Sequence, residues 1–343
     1  MLPARGHDEV AGRMSFISIV IPNYNGGRTI GKCLGSIFAV KDEGIEVIVV
    51  DDCSDDGSRD IIRTYPCRLI ALDERSGAAA ARNAGAAASR GEALFFIDAD
   101  CLVKENTLPV LRNSLDGYPA GTVIGGTYTP MPADAGFFSR FQSVFINYSE
   151  TKHGAHPDYI ASHAMAVPVH TFRRAGGFPE RFLPIIEDVE FSHRLRRNGV
   201  RLVMVPDLQV RHQFDFTLLK SLRNAVRKTR YWIEYSLENK DLLSDSGTAS
   251  IEMKVNGFAW LLSVLTVLLY LASGKMRILF VAPLLTAVSL GVSGRLLAAF
   301  HRSGGFVFAL AAGAYYSVVY PAAVWIGALQ GAWQHAVKRL RGA

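Results

Sequence analysis

Cysteine is scarce in this sequence, and its four occurrences do not cluster. They lie at Cys33, Cys53, Cys67 and Cys101 of a 343-residue chain, with no C-x-x-C pair among them. This spacing argues against a disulfide framework and a cysteine zinc site, and it predicts reduced, buried thiols. An apolar core is also missing from the first 14 residues, so no signal peptide is expected and the first domain is expected in the cytoplasm.

Glycine-rich phosphate loops are missing as well. The first apolar run, residues 16–22, is followed by neither G-x-G-x-x-G nor G-x-x-x-x-G-K-[ST]. A dinucleotide-dependent dehydrogenase and a P-loop phosphotransferase are therefore disfavoured. A nucleotidyltransferase would also need a phosphate-binding loop at this point, and Gly26-Gly27-Arg28 is only a faint version of one. No nucleic-acid partner is expected.

Charge is nearly absent from three long stretches after residue 250, where the composition shifts. A membrane span needs about 20 apolar residues. We therefore expect a transmembrane domain over 251–343, with helices at 255–274, 278–300 and 305–332. This predicts a multi-pass protein of the inner (cytoplasmic) membrane. Three crossings from a cytoplasmic start would leave Lys338, Arg339 and Arg341 outside, against the positive-inside tendency, so two crossings or a re-entrant stretch stay open.

A basic, amphipathic segment precedes these stretches, in a juxtamembrane region at 216–250. Apolar residues fall near one helical face of residues 216–240, and cations recur on another face at spacings of three and four: Lys220, Arg223, Arg227 and Arg230. A basic amphipathic helix before a span suggests an interfacial helix on anionic membrane lipid. The alternative is an ordinary packing helix with a solvated basic face.

The region 15–215, after a flexible tail at 1–14, alternates strand and helix patterns. Apolar, β-branched runs at 16–22, 46–50, 68–72 and 93–97 are separated by segments with helical spacing. This predicts an α/β fold with a mainly parallel sheet and helices on both faces. Such sheets bind ligands at the carboxyl ends of their strands. Polar residues stand at those ends: Asn23, Asn25, Asp51, Asp52, Asp98 and Asp100.

The Asp98-Ala99-Asp100 sequence directly follows an apolar strand. Two carboxylates at this spacing can hold a divalent cation, Mg²⁺ or Mn²⁺, against a diphosphate. The alternative is a turn or a helix cap. Asp51 and Asp52 can accept hydrogen bonds from a nucleobase or a ribose, or simply build the turn that comes after them.

Three further residues are candidates from their type and position. Arg82 lies one and a half turns into an alanine-rich helix, where it can face a phosphate or a nucleobase, or remain a solvated surface arginine. Glu187 and Asp188 open a helix, where acids favour the macrodipole; the functional interpretation is a general base for an acceptor hydroxyl. His212 is a candidate third metal ligand, with a packed or surface histidine as the alternative.

Taken together, these segments resemble the inverting glycosyltransferase family 2 of the GT-A fold, which includes dolichol-phosphate sugar synthases, bacterial polysaccharide glycosyltransferases and chitin and cellulose synthases. The resemblance runs from about Ser18 to His212. It is carried by seven segments in order: I-V-I-P-N-Y-N at 19–25, V-D-D-C-S-D-D-G-S at 50–58, G-A-A-A-A-R-N-A-G at 77–85, F-I-D-A-D at 96–100, G-G-F at 176–178, E-D-V-E-F-S-H-R-L-R-R-N-G at 187–199 and V-P-D-L-Q-V-R-H at 205–212.

The resemblance implies a role for each matching position. Asp188 would be the catalytic base, with Glu187 contacting the sugar or the acceptor. Asp100, with Asp98 and His212, would hold the metal. Ser162 and His163, which stand where relatives often carry a small polar stretch, would meet the acceptor or the sugar. The nucleotide-sugar site would comprise Pro22, Asn23, Tyr24, Asn25, Asp51, Asp52, Gly77, Arg82, Asn83, Asp98 and Ala99.

The expected function is then inverting, metal-dependent transfer of one sugar. The donor would be a nucleotide-diphosphate sugar, with UDP-sugar favoured. The acceptor would be a lipid-linked or membrane acceptor of cell-envelope glycan synthesis. No Q-x-x-R-W is present, and its absence argues against the rival interpretation of a processive polysaccharide synthase. A non-catalytic membrane partner is the second rival, although Asp100 and Asp188 are both intact. The aromatic third stretch leaves an oligomer open.

Overall fold

The computed structural model describes residues 16–154, 156–180 and 185–341. The tail predicted at 1–14 lies outside these residues. The described chain divides into two units. Unit 1 comprises the described residues up to Thr129 together with Glu150–Gln213, and unit 2 comprises Pro130–Ser149 together with the described residues from Phe214 onward.

Unit 1 is built on one eight-stranded sheet with the order β3-β2-β1-β4-β7-β6-β8-β5. The pairs β1–β2, β1–β4, β2–β3 and β6–β8 are parallel, whereas β7 pairs antiparallel with β4 and β6, and β5 with β8. The expected α/β fold with a mainly parallel sheet is confirmed. The strands are β1 (Ile17–Asn23), β2 (Ile45–Asp51), β3 (Arg68–Ala71), β4 (Ala93–Ile97), β5 (Cys101–Val103), β6 (Val123–Tyr128), β7 (Ala164–Pro168) and β8 (Leu202–His212).

The helices of unit 1 cover this sheet because each presents an apolar face to it. They are α1 (Ile30–Ala39), α2 (Ser58–Arg63), α3 (Ala78–Ala87), α4 (Thr107–Gly117), α6 (Val169–Arg174) and α7 (Glu187–Arg197). Helix α3 approaches β1 closely, since a Cβ added to Gly85 would lie 2.4 Å from Val20 Cγ1. At this position even the methyl group of an alanine would clash, so only glycine allows so close an approach.

An aromatic cluster fixes the start of α7. Phe178 packs against Phe96 of β4 and Phe191 of α7, with ring centroids 5.1 and 4.8 Å apart, and Phe172 completes the group. Buried phenylalanines contribute about 1.5–3 kcal/mol each. Because Phe191 lies one turn after Glu187 and Asp188, the cluster also positions these two acids.

Unit 2 is helical. It contains most of α5 (Phe137–Thr151), then α8 (Leu218–Asn239), α9 (Ile251–Ser273), a 3₁₀ turn at Met276–Phe280, α10 (Val281–Val292), α11 (Gly294–Ala314), a π-helical turn at Tyr315–Val319 and α12 (Tyr320–Leu340). Among the described residues, Ile251–Ser273 and the run Gly294–Leu340 have the length and apolar composition that a membrane crossing requires, whereas Met276–Val292 is shorter.

Candidate active site

The end of β1 is joined to the end of β2 through Asn23. The buried Asn23 Nδ2 donates to Asp51 Oδ1 at 2.8 Å and to Ser58 Oγ at 3.0 Å. Asp51 also accepts from the Ser54 amide and from Arg59 Nε. Burial alone would raise the pKa of Asp51, but the hydrogen bonds from Ser54, Arg59 and Asn23 hold it below its usual value. Asn23 and Asp51 therefore form the framework of the pocket.

Asp52 holds the loop that leads into α3. Its two carboxylate oxygens accept from the backbone amides of Ser76, at 2.6 Å, and Gly77, at 2.9 Å. Gly77 has φ 90°, a left-handed conformation that favours glycine. Both acceptor oxygens of Asp52 thus already have a partner in the protein, and the helix that carries Arg82 is fixed in place by them.

The mouth of this region is formed by more exposed residues. Tyr24 is exposed and carries the Arg75 guanidinium 4.0 Å from its ring centroid. Asn25 adopts φ 50° and accepts the Asp55 amide at 3.0 Å. Pro22, in β1, and Ala99, in the turn after β4, are both half-buried. An exposed tyrosine stacked with an arginine offers a flat surface for a nucleobase.

Arg82 connects two of the predicted acids. Its NH2 donates to Asp98 Oδ1 at 2.8 Å, and its NH1 donates to Glu187 Oε1 at 2.7 Å. Arg82 as a whole is only 3% exposed, so both ion pairs form in a poorly solvated environment. Burial disfavours the charged guanidinium, but the charges of Asp98 and Glu187 outweigh it and raise the pKa of Arg82. Arg82 therefore positions Asp98 and Glu187 relative to each other.

Asn83, the neighbour of Arg82, holds the G-G-F loop. Its Nδ2 donates to the Phe178 carbonyl and its Oδ1 accepts the Phe178 amide, both at 2.8 Å. Nδ2 also reaches Glu180. Two consecutive residues of α3 thus hold the two ends of the segment that leads into α7. Asn83 holds its beginning at Phe178, and Arg82 holds its end at Glu187.

A candidate metal centre lies where β5 pairs with β8. Asp100, Cys101 and His212 bring ligand atoms within 4.8 Å of one another, with His212 Nε2 3.3 Å from Asp100 Oδ1. Burial and the neighbouring Asp98 raise the pKa of Asp100 to about 7. Burial also opposes ionisation of Asp98, but Arg82 and His163 lower its pKa.

The donor set fits a divalent cation of the Mg²⁺ or Mn²⁺ type. A carboxylate oxygen and an imidazole nitrogen within reach of each other suit Mn²⁺, and Asp98 adds a second carboxylate beside them. Burial and the repulsion from Asp98 raise the pKa of Asp100, and a bound cation would favour its ionised form. Cys101 is a buried thiol whose pKa is raised by burial and by Asp100, and hard cations of this type prefer oxygen ligands to sulfur.

Glu187 and Asp188 differ in their surroundings although they are consecutive. Glu187 is buried, and burial together with the charge of Asp188 raises its pKa to about 7, despite Arg82. Its Oε2 has no hydrogen-bond partner among the described residues. Asp188 is half-buried, and its Oδ2 accepts the Ser162 amide at 3.1 Å. That hydrogen bond fixes the carboxylate of Asp188.

The structure also places two residues at the site that the sequence does not single out, Tyr128 and Glu150, and both lie beside the predicted His163. His163 stacks on Tyr128 with ring centroids 3.9 Å apart, and its Nε2 lies 3.4 Å from Glu150 Oε2. Tyr128 meets His212 edge-on at 4.8 Å. Tyr128 ends strand β6, so an extended strand assignment could have found it. No sequence pattern distinguishes Glu150 from other helical acids.

Comparisons with known proteins agree with this geometry. Residues 18–174 match the family model described as Glycosyl transferase family 2. Glycosyltransferase GlyG of Streptococcus pneumoniae is 33% identical over 127 residues, which is 36% of this chain and 42% of the relative. Glycosyltransferase AglE of Haloferax volcanii is 27% identical over 236 residues, 64% of this chain and 75% of the relative. The chain thus spans less than half of the first of these two relatives.

A solved structure has the same fold. The mannosyltransferase PcManGT from Pyrobaculum calidifontis, determined in complex with GDP-Man and Mn²⁺, superposes with a TM-score of 0.58 at 19% identity. The match covers 95% of this chain and 90% of that one. At this identity the likeness concerns the fold alone.

Proposed function

Because residues 18–174 are a glycosyl transferase family 2 domain, we propose that the chain is a membrane-attached enzyme that moves one sugar from a nucleotide-diphosphate sugar to an acceptor, with inversion at the anomeric carbon. The observation that carries the proposal is the pair of ion pairs made by Arg82, which joins the Asp98 side of the site to Glu187 at 2.8 and 2.7 Å. Donor-side and acceptor-side acids are thereby held in one place.

The donor pocket is assigned to the carboxyl ends of β1, β2 and β4. Tyr24, stacked with Arg75, would take the nucleobase, and Asn25 borders it. Asn23, Asp51, Asp52 and Gly77 have hydrogen-bonding roles inside the protein that keep this pocket in shape. GDP-Man in the solved relative and the UDP-sugar expected from the sequence make a nucleoside diphosphate the common element.

A divalent cation would be held by Asp100 and His212, with Asp98 beside them. When bound, the cation neutralises charge on the diphosphate leaving group. The protein's own residues then do the rest. Asp188, fixed by the Ser162 amide, accepts the proton of the acceptor hydroxyl. The hydroxyl oxygen attacks the anomeric carbon from the face opposite the diphosphate, the bond to the diphosphate breaks, and the configuration inverts.

The remaining polar groups would orient the sugar. The unpartnered Oε2 of Glu187 is a hydrogen-bond partner for a sugar hydroxyl. His163, stacked on Tyr128 and beside Glu150, would border the sugar or the acceptor. A lipid phosphate as acceptor would already be ionised and would depend less on Asp188. The long apolar helices of unit 2 support a membrane or lipid-linked acceptor and a multi-pass location in the cytoplasmic membrane.

The proposal is tested by calorimetric titration of the detergent-purified chain with UDP, GDP and dTDP, each with Mn²⁺, with Mg²⁺ and with a chelator. We expect one nucleotide to bind only when the metal is present, and we expect the Asp100→Ala variant to lose this metal-dependent binding. Asp60→Ala, which removes an exposed acid of α2 paired with Arg63, is the control and should bind normally. If no nucleotide binds to protein that unfolds cooperatively on heating, the transferase proposal fails.

A further inference from the structure

The run Gly294–Leu340 is not one continuous helix. Gly305 has φ 74° and ψ −175°, which no helix accommodates, so the chain turns there. The two sides of the turn fold back on each other: Phe300 meets Phe308 edge-on, with ring centroids 6.0 Å apart, and a Cβ on Gly313 would lie 3.2 Å from Leu297. Residues 306–340, beyond the turn, form a separate helix, which we call the long helix.

The long helix has one buried face and one exposed apolar face. The exposed face is an apolar stripe whose members are each at least half exposed: Phe306, Val307, Leu310, Val318, Ile326, Leu329 and Trp333. The stripe continues over almost the whole helix. A helix of 35 residues is about 52 Å long, much more than the ~30 Å thickness of the hydrocarbon core.

The opposite face packs on α5 and α8. Phe141 of α5 contacts Tyr315 and Tyr320, with ring centroids 4.8 and 5.5 Å apart. Further along, a Cβ on Gly327 would lie 2.5 Å from the Val226 carbonyl, and one on Gly331 would lie 2.3 Å from the Arg230 carbonyl. The G-x-x-x-G spacing of these glycines lets the long helix and α8 approach to backbone contact.

Both ends of the long helix are held by polar groups. Near its start, the Arg140 guanidinium lies 4.8 Å from the Phe308 ring centroid and donates to Ser303 Oγ at 3.2 Å. Near its end, Lys338 pairs with the buried Glu234 of α8. Because α8 also carries exposed Arg223 and Arg227, it cannot lie in hydrocarbon, and neither can the helix segment that packs along it.

The hydrogen bonds that join helix α9 to the long helix lie at the beginning of α9. Asn256 Nδ2 donates to the Tyr316 carbonyl at 2.8 Å, and Trp260 Nε1 donates to the Val318 carbonyl at 2.9 Å. Trp325 Nε1 donates to the Gly257 carbonyl at 2.8 Å. These contacts, all within the first ten residues of α9, describe a crossing between the helices rather than side-by-side packing.

The rest of α9 has α10 and the 3₁₀ turn as its packing partners. Ser289 near the end of α10 donates to Asn256 near the start of α9 at 2.9 Å, so the chain returns to the level at which it left. The 23 residues of α9 extend about 34 Å, and the returning 17 residues extend about 28 Å. Each leg matches the thickness of the hydrocarbon core.

We propose that unit 2 crosses the bilayer twice, as the hairpin of α9 and α10, and that the long helix lies in the plane of the membrane with its apolar stripe in the lipid. The partner of this surface is a bilayer with anionic headgroups. This inference rests on the membrane attachment included in the proposed function. It places the end of the long helix on the side from which α9 enters, where α8 lies.

The distribution of charge agrees with two crossings. The far side would carry only Lys275 and Arg277, in the hairpin turn. The near side would carry Lys338, Arg339 and Arg341, in addition to the cations of α8. Three crossings would move the C-terminal cations to the far side. Excess lysine and arginine normally marks the cytoplasmic side, and such cations attract anionic lipid by about 1 kcal/mol each near the surface.

The first experiment is labelling with a membrane-impermeant maleimide, in intact cells and in inverted vesicles. Lys275→Cys and Arg341→Cys are each made in the full chain with Cys53→Ser and Cys67→Ser, which remove the thiols that are not buried. The native chain, with its exposed Cys53, marks the side of unit 1. We expect Lys275→Cys to react only in intact cells, and Arg341→Cys and native Cys53 only in inverted vesicles.

The outcomes separate this inference from the function. Release of the chain from membranes by alkaline carbonate would overturn membrane attachment itself. If the chain stays in the membrane but Arg341→Cys is labelled on the far side, the in-plane position of the long helix is overturned. If Lys275→Cys is labelled on the near side, the crossing hairpin is overturned. Nucleotide binding would stand in either case.

Spin-label depth measurements give a second, independent readout. Leu310, Val318 and Leu329 of the stripe span about 28 Å along the helix axis. Cysteine-linked labels at these three positions, in proteoliposomes with one third anionic lipid, should report the same shallow depth. A depth that passes from one interface through the midplane would show that the long helix crosses the membrane.

Discussion

Replacing Arg82 by methionine would leave two acids without their common partner. Arg82 and Glu187 are nearly buried, with side chains 4% and 10% exposed, whereas the Asp98 side chain is 32% exposed and its ion pair is weakened by solvent. Breaking a buried pair by removing one partner costs about 3–5 kcal/mol. We therefore expect a loss near the lower end, about 3 kcal/mol.

The loss is measurable as a shift in melting temperature. For a unit of this size each 1 kcal/mol corresponds to roughly 2–4 °C, so Arg82→Met should lower the Tm of unit 1 by roughly 6–12 °C. Differential scanning fluorimetry in detergent at pH 8 is a suitable assay. Arg90→Met is the matched control, because Arg90 also pairs with an acid, Glu46, but is 76% exposed. An exposed pair contributes at most about 1 kcal/mol, so this variant should change the Tm by no more than about 4 °C.

The pH dependence provides the sharper test. The pKa of Glu187 is already raised to about 7 by burial and Asp188, and removing Arg82 raises it further because Arg82 lowers it. In the variant, the folded state then binds protons more readily than the unfolded state, so lowering the pH stabilises it. The Tm difference between wild type and Arg82→Met should shrink from pH 8 to pH 5.5. A small difference, or one that is constant over this range, would refute the ion-pair reasoning.

The geometry supports three other predictions. Asp188→Asn should keep nucleotide affinity and lower transfer to a hydroxyl acceptor by about 10²–10⁴-fold, measured by product formation; unchanged turnover would remove Asp188 as the base. Gly331→Ala should lower the Tm, because its Cβ would lie 2.3 Å from a backbone carbonyl of α8, whereas Gly291→Ala, with no atom within 4 Å, should not. Asp42→Asn should cost about 1–2 kcal/mol at pH 7. The pKa of Asp42 is lowered by its hydrogen bonds with Arg112, so this stabilisation is present above pH about 4 and is lost as the pH falls through the folded pKa, and the cost in urea unfolding should fade there.

The first half of the sheet could be predicted from the sequence because it is locally encoded. The sequence predicts strand β4 at residues 93–97, and it lies at Ala93–Ile97; the other early strands differ from their predicted ranges by one residue at one or both ends. Each is a short apolar run between turn residues, so its boundaries are set by neighbours in sequence. The later strands β6, β7 and β8 were not assigned. Strand β6 contains Gly125 and Gly126, and β8 mixes polar with apolar residues. A short stretch of either sequence therefore does not show the apolar pattern of a strand.

The residues of the site were predicted by type and by the end of the strand that carries them, but their partners were not. Asp52 and Asn83 were expected to touch the donor, and in the structure their side chains hold the backbone at Ser76–Gly77 and at Phe178. Whether they also touch the donor stays a prediction. A polar residue at a strand end looks the same in sequence whether it binds the donor or holds the backbone of a loop. Both roles place a polar side chain directly after a buried strand.

The largest gap between sequence and structure concerns contacts made over long separations. Arg82 and Glu187 are 105 positions apart, and Lys338 and Glu234 are 104 apart. The sequence pattern does not reveal either pair. Each partner lies on a helix, and the pattern of that helix would look the same if the charged side chain were exposed to water. Only packing decides that Arg82, Glu187 and Glu234 are buried, and once buried each must find an opposite charge. The proposed membrane arrangement of unit 2 follows the same rule. The apolar runs were visible in sequence, but whether a run crosses the bilayer or lies on it depends on which faces α5 and α8 already cover.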